Sequence, residues 1–317
     1  SSIMDKVTSQ ENLPVLVAGA AIGGLAACLY MKRNGGSGVL DVRSTTNSGS
    51  SGSAVYESAR AVDEYLQFHF ATPQELAPIV GPFVSKEALD FPALCARETT
   101  LAAGRRGRVL DVGCAVGRHS FELARDFDEV VGFDFSQAFV NACNKMKTHG
   151  RSDYKAVIEG QVMDTRTAFV PAGIDVSKCN FVVGDACNMF DISLQGRKMG
   201  TFDAVVAANL LCRLPDPKKF LRDMHVVVKP GGVFVLISPY SWLPEYTKKG
   251  EWIGGFTDAN GKAIMSKDQV RAALAAGFDV VSEKNMPFLI REHQRKYQIG
   301  CSHCMVFKRK ADKTVVA

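Results

Sequence analysis

Arg108-Val-Leu-Asp-Val-Gly-Cys-Ala-Val-Gly-Arg-His-Ser120 is the stretch that decides how this chain folds. Val109 to Val112 is a short apolar strand that runs into a glycine turn. A helix follows, with Phe121, Leu123 and Ala124 as its apolar positions. Strand, turn and helix in this order are the context that a nucleotide-type glycine loop requires. Gly113 permits the tight turn, and Gly117 lets the helix begin close to a ligand. One such loop also occurs in any small α/β glycine turn, so the decision rests on what lies downstream. Val130 to Asp134 is a second strand ending in an acid, and Phe181 to Asp185 a third. Phe202 to Asn209 is a fourth, ending in a polar residue, and a glycine turn after Val228 leads into a fifth that ends at Ile237. Helices fit between them over Gln137 to His149 and Lys218 to Val227. Alternating strands and helices predict a parallel sheet, with ligands at the carboxyl ends of the strands near the topological switch point.

The loop departs from a strict dinucleotide pattern and takes the form D-x-G-x-x-x-G, as in enzymes that use S-adenosyl-L-methionine. That molecule has no pyrophosphate. It carries an aminoacyl group, which calls for a carboxylate and backbone polar groups nearby. Asp111 is expected to direct negative charge at the cofactor's ammonium, with Gly113, Cys114, Ala115, Gly117 and Arg118 forming the loop around it. Asp134 lies about twenty residues further on, the spacing at which an acid accepts two ribose hydroxyls. Asp185 is a candidate acceptor for the adenine amino group, with Phe135, Ala186 and Asn209 beside these strand ends. A single acid after a strand is often only a helix cap. Three in register with the glycine loop make capping a poor account of the whole. The expected fold is therefore α/β: a Rossmann-like class I methyltransferase with a seven-stranded, mostly parallel sheet, helices on both faces, an N-terminal helical cap and an inserted β-hairpin.

Around this core, residues 107–311, the chain divides further. Residues 54–106 read as the helical cap. Ala54 to Phe70 has apolar residues at helical spacing, and Phe83 to Ala103 is a second helical stretch interrupted by Pro92. Ser152 to Val170 alternates around Glu159-Gly160 and reads as the hairpin. Ser238 to Phe256, rich in aromatics and glycines, is a candidate lid or pocket wall. Ser266 to Ala276 is a helix. Phe278 to Glu283 and Tyr297 to Phe307 are final strands, with Pro287 to Lys296 between them.

Residues 1–53 are different in kind. Leu13 to Met31 runs for nineteen residues without a charge and is followed by Lys32 and Arg33. The length fits a membrane span, and the basic flank would place the C-terminal side in the cytoplasm. A weak anchor and an ordinary N-terminal helix both fit. Gly19 to Gly24 resembles a flavin-type fingerprint, but Ala21 stands where close backbone approach needs glycine. Leu25-Ala-Ala-Cys28 resembles a lipidation box, but the residues before it are a poor positive region. Gly35 to Ser53 reads as flexible linker.

The nine cysteines are scattered through apolar segments, which points to reduced thiols and a cytoplasmic location rather than a disulfide framework. Cys301 and Cys304 form one close pair without a second, so no metal site is expected. The net charge of +5 comes without a dense basic stripe, so nucleic acid is not an expected partner.

Seven segments narrow the reading: YESARAVDEYLQFHF (56–70), LDVGCAVGRHSFELARDFDEVVGFDFS (110–136), GDACNM (184–189), AANLLCRLPDPKKFL (207–221), KPGGVFVLISPYSWLPEYT (229–247), EWIGGF (251–256) and FLIREHQRKYQ (288–298). Together they resemble the C-terminal methyltransferase domain of ovothiol synthases, over most of the chain from Tyr56 to Phe307. The core motifs are common to many methyltransferases; SPYSWLPEYT, EWIGGF and IREHQRKYQ are more specific. The resemblance implies N-methylation of the imidazole of 5-thiohistidine to give ovothiol A. The sequence holds no counterpart of the iron-dependent sulfoxide synthase part of the fused enzymes. A separate sulfoxide synthase is thus an expected partner, and membrane contact through residues 13–31 a second.

Methyl transfer is an in-line displacement, in which the enzyme positions the nucleophile and excludes water. Asn209, at a strand end, is the candidate to bond the ring and hold its lone pair toward the methyl group. His69 is a candidate proton acceptor, though a lone histidine on an amphipathic helix is more often structural. Arg291 or Arg295 would clamp the substrate carboxylate, and Glu57 or Glu292 its ammonium. Tyr56, Tyr65, Tyr240, Trp242 and Trp252 would frame the ring or face the sulfonium, or serve as core. Arg213 is read either as a ligand or as part of an ion pair. Three other readings compete: methylation of a different small metabolite at N or O, including a selenium analogue of thiohistidine; a membrane-tethered scaffold without activity; and a flavin protein built on the N-terminal glycines.

Overall fold

The structure, a computed structural model, describes residues 53–311. Expectations for the N-terminal apolar segment and linker fall outside the described residues, apart from Ser53. No helix among the described residues is long and apolar enough to cross a membrane.

Seven strands form one sheet: β1 (Arg108–Val112), β2 (Glu129–Asp134), β5 (Cys179–Val183), β6 (Phe202–Ala208), β7 (Val228–Ser238), β8 (Phe278–His293) and β9 (Lys296–Arg309). Their order across the sheet is β8-β9-β7-β6-β1-β2-β5, and only β9 runs against the others. The chain steps outward from β1 to β2 and β5, then returns to the other side of β1 for β6 and β7. That reversal makes the tips of β1 and β6 the switch point, where a crevice opens in such sheets. The strands are apolar runs because both faces are covered: Val109, Leu110, Val205 and Val206 are fully buried.

The helices start where the sequence supplies caps. Helix α1 (Ala59–Phe70) begins at Ser58, whose hydroxyl accepts from the Ala61 N–H. The short α2 (Pro73–Leu76) has a capping box of Thr72 and Glu75. Helix α3 is Phe91–Ala102. The second cap helix was expected to run from Phe83 and to be interrupted by Pro92; instead Pro92 sits in the first turn of α3, where its missing N–H costs nothing, and the residues before it form two 3-10 turns. Helices α4 (Arg118–Leu123), α5 (Gln137–His149), α6 (Pro217–Val227) and α7 (Ser266–Leu274) complete the set. Pairs α3/α4 and α6/α7 pack together.

The expected hairpin is present as β3 (Arg151–Glu159) and β4 (Val162–Phe169). The last two strands are longer than expected. They form a continuous hairpin with Pro287 inside β8, opposite Cys301 on β9. Proline is tolerated there because β8 is the edge of the sheet.

Gly132 lies in the middle of β2, where an added Cβ would stand 2.8 Å from the Ser120 hydroxyl and 2.9 Å from the Phe181 ring. At Gly104 it would meet nothing within 4 Å. Gly132→Ala is expected to lower unfolding free energy by about 1–3 kcal/mol, whereas Gly104→Ala changes it little. Paired urea denaturation curves check this, and equal effects at both positions would contradict the packing described.

Candidate active site

The glycine loop after β1 is pinned from the neighbouring strand. The N–H groups of Gly113 and Cys114 both donate to the Phe133 carbonyl, at 2.9 and 3.0 Å. Gly113 and Gly117 have φ of +73° and +87°, and a Cβ at either would press on Leu210 or on the Cys143 sulfur at 3.0 Å. Ala115 is also left-handed, at φ +47°. That turn aims its N–H at Asp134.

Asp134 ends β2. Its Oδ2 accepts from the Ala115 N–H at 3.0 Å and its Oδ1 from the Ser136 N–H at 2.9 Å. Burial pushes its carboxyl up to about 6 against these two donors, and the charges of Asp111 and Glu57 add to the rise. The next tip is tied on by the Gly184 N–H, which donates to the Asp134 carbonyl at 2.9 Å. Asp185 there closes its own turn, accepting from the Cys187 N–H and the Asn188 amide at 2.8 and 2.6 Å, with Ala186 buried beside it. Phe135, immediately after Asp134, is 52% exposed. A flat apolar face beside an acid and a glycine loop is the surface a purine base would cover.

Asn209 follows β6 at φ +55°, a conformation that asparagine tolerates better than most residues. Its N–H donates to the Ile237 carbonyl at 2.8 Å. Ser302 holds its side-chain oxygen at 2.6 Å, and its Nδ2 is buried without a partner. A buried donor left unpaired costs stability unless a ligand takes it up.

Over these tips lies a layer of rings. Tyr65 packs on Phe139 at 4.7 Å between centroids, and Tyr56 touches Tyr65, Phe139 and Tyr246 at 5.8–6.2 Å. Arg213 sits over the Tyr246 ring at 4.9 Å and donates to the Ser241 carbonyl at 2.6 Å. It engages through its face and this carbonyl. Burial raises the phenols of Tyr56 and Tyr65 well above their ordinary value, so both rings stay neutral. Tyr246 was missed at the level of sequence, although it lies within SPYSWLPEYT.

Several expected roles change. Asp111 is buried, with Ser120 donating to one oxygen at 2.5 Å and His119 Nδ1 standing 3.2 Å from the other. Its charge is therefore spent on α4. What it leaves is the Nε2 of His119, buried and unpartnered. Arg118 holds the His69 carbonyl, Asp90 and Glu122, tying α4 to the cap instead of reaching a ligand. Glu57 accepts from the N–H groups of Gln137 and Ala138 and so caps α5. Arg291, only 2% exposed, donates to the carbonyls of Glu75 and Val157, fastening the inserted hairpin to α2. Arg295 is exposed at the hairpin turn, and Glu292 is bound by Lys296 and Gln298. Trp242 donates to Ser266 at 2.8 Å and stacks on Trp252, which donates to the Thr247 carbonyl; Trp242 belongs to the core and the half-buried Trp252 packs against it. His69 packs beside Tyr65 with Nδ1 buried and unpartnered, and burial lowers it to about 3, so it is a poor proton acceptor near neutrality.

A family model described as a methyltransferase domain matches residues 87–283. The chain belongs to this methyltransferase domain family. Its seven-stranded sheet with helices has the fold of the Rossmann-like class I methyltransferases. Cycloartenol-C-24-methyltransferase of Arabidopsis thaliana is 29% identical over 189 residues, 56% of this chain and 46% of that protein. Ajmaline N-methyltransferase of Rauvolfia serpentina is 27% identical over 177 residues, 55% and 51% of the two. The chain thus spans about half the length of the curated relatives it matches. Among solved structures, magnesium protoporphyrin IX methyltransferase from Synechocystis PCC 6803 with bound SAH is similar over 81% of this chain and 97% of that one, at 15% identity and a TM-score of 0.48.

The residues present fit S-adenosylmethionine. Asp134 would take the ribose hydroxyls, Phe135 the adenine face, and the loop around Gly113 to Gly117 the methionyl end. Because Asp134 has a raised value when folded, its ionisation opposes folding: the contribution is favourable below about pH 4 and is lost as pH rises through about 6. Ribose hydroxyls bond the ionised form better. Calorimetric affinity for S-adenosylhomocysteine is thus expected to rise between pH 5 and 7 with a midpoint near 6. Asp134→Asn should bind roughly tenfold or more weakly and lose the step. A parent protein with flat affinity across this range would contradict the assignment.

Proposed function

We propose that the methyltransferase acts on the imidazole ring nitrogen of 5-thiohistidine to give ovothiol A. The observation that carries this reading is the Asn209 amide. Ser302 fixes its oxygen, so its unpartnered N–H groups are fixed as donors at the tip of β6. The acceptor carries two competing nucleophiles, a ring nitrogen and a thiolate, and the outcome depends on orientation. A buried donor pair suits the anionic sulfur. With the sulfur held there, the ring nitrogen is left to face the methyl group. The tyrosine layer of Tyr56, Tyr65 and Tyr246 supports the reading by covering the tips with neutral aromatic surface, which excludes water from the transfer.

S-Adenosylmethionine supplies an electrophilic methyl group on sulfur. The chain's own part is to hold the cofactor through Asp134, orient the acceptor through Asn209, and keep the site dry beneath α1. The thiohistidine would come from a separate sulfoxide synthase. Tethering through residues 13–31 would place the domain at a membrane surface on the cytoplasmic side.

Purified protein with S-adenosylmethionine and 5-thiohistidine should form a product heavier by one methyl group on the ring nitrogen, resolved from the S-methyl isomer by tandem mass spectrometry. Asp134→Ala should abolish turnover. Asn209→Ala should lower kcat by roughly tenfold to a hundredfold and admit S-methylation. Methylation of other metabolites with no turnover of thiohistidine would reject the proposal.

A further inference from the structure

His119 lies in the first turn of α4, two residues after Gly117, where the loop that would take the cofactor's methionyl end runs into the helix. The residue is 4% exposed, and its Nε2 is buried without a partner. On the other side of the ring is Asp111, 1% exposed. One Asp111 oxygen stands 3.2 Å from Nδ1 of His119, and the other accepts from the Ser120 hydroxyl at 2.5 Å. His69 approaches from the cap. Arg118 donates to its carbonyl at 2.9 Å, and Nδ1 of His69 is also buried and unpartnered.

Asp111 sets the polarity of the His119 ring. A carboxylate oxygen this close to Nδ1 repels a lone pair there and attracts a hydrogen. The neutral ring therefore carries its hydrogen on Nδ1 and presents a bare lone pair at Nε2. Ser120 and His119 hold the carboxylate without cancelling its charge. Arg118, the adjacent cation, is engaged by Asp90 and Glu122. A buried carboxylate without a counter-ion is costly, and so is a buried acceptor that nothing satisfies. One ligand group answers both costs: a cation that donates an N–H to Nε2, with Asp111 on the far side of the ring.

We propose that His119, backed by Asp111, binds the α-ammonium of the cofactor's methionyl end. The role expected of Asp111 by direct contact is passed through the imidazole. The ligand's carboxylate does not suit this place, because it would face a lone pair and a second negative charge. His119 is then a binding residue, and Asp111 a positioning residue that acts through it. Asp134 holds the nucleoside separately, so His119 contributes only to ligands that carry the amino group. The assignment does not depend on which acceptor is methylated. An amino-acid acceptor also carries an α-ammonium; the glycine loop beside His119 favours the cofactor as the source, and the test separates the two.

Calorimetry compares three ligands: S-adenosylhomocysteine, its analogue in which hydrogen replaces the amino group, and 5′-methylthioadenosine, which lacks the whole amino-acid end. His119→Asn keeps an amide beside Asp111 but has no atom at the place of Nε2, whereas His119→Gln carries an amide oxygen there. Thermal unfolding checks that both variants are folded. His119→Asn should weaken S-adenosylhomocysteine at least about tenfold and change the other two ligands less than about twofold. His119→Gln should recover part of the loss. Equal losses for S-adenosylhomocysteine and the analogue without the amino group overturn the proposal, since His119 would then face the carboxylate or only brace the loop. Unchanged affinity for S-adenosylhomocysteine with a raised KM for an amino-acid acceptor overturns the cofactor as the source of the ammonium. A second measurement needs no variant. Nitrogen NMR of His119 in the parent protein should show hydrogen on Nδ1, and the Nε2 signal should move with S-adenosylhomocysteine but not with 5′-methylthioadenosine. Hydrogen on Nε2, or an equal response to both ligands, overturns the assignment.

Discussion

Two backbone N–H groups held against one buried carboxylate organise the upper surface of this protein. Asp134 joins the loop after β1 to the tip of β2 through Ala115, and its carbonyl joins both to the tip of β5 through Gly184. Each bond has a local cause. Ala115 reaches Asp134 because it turns left-handed between two glycines that do the same. Gly132 leaves the space in which Ser120 can reach Asp111 behind the loop. A shorter or bulkier loop would separate the strand tips and leave a buried acid with no donors, which is costly in a low dielectric.

The parts farther from Asp134 determine what the site can hold. Glu57 caps α5 immediately after Ser136, and Ser136 donates its hydroxyl to the Tyr56 carbonyl. These bonds fasten the start of the cap to the tip of β2 and place Tyr56 and Tyr65 over it. From the other side, Arg213 links the turn after β6 to the segment after β7, which supplies Tyr246. Arg118 and Arg291, which sequence suggests as ligand contacts, instead secure the cap and the inserted hairpin. These two cations hold the structure around the site in place.

The fold was legible because its signals are local. A strand, a glycine turn and a capped helix occupy a dozen residues, and the acid at the end of each strand repeats the pattern. The substrate side was less legible because its bonds are long-range. Nothing near Asp111 in sequence shows that Ser120 and His119 will absorb its charge, since this depends on how α4 crosses β1. Glu283 and His303 are twenty residues apart and come together only through the register of β8 and β9, and Tyr240 joins them from just beyond the end of β7. Trp242 and Trp252 looked like pocket walls because aromatic residues in a loop read alike whether they face a ligand or the core. The partners of their indole N–H groups turn them to the core, Trp242 within it and Trp252 against it.

The most direct measurement of the central claim is a crystal structure with S-adenosylhomocysteine bound. Asp134 should accept both ribose hydroxyls while keeping its bonds to the Ala115 and Ser136 N–H groups, with the adenine on Phe135. A nucleoside bound away from the tips of β1 and β2, or an Asp134 that abandons those N–H groups to bind it, would contradict the account.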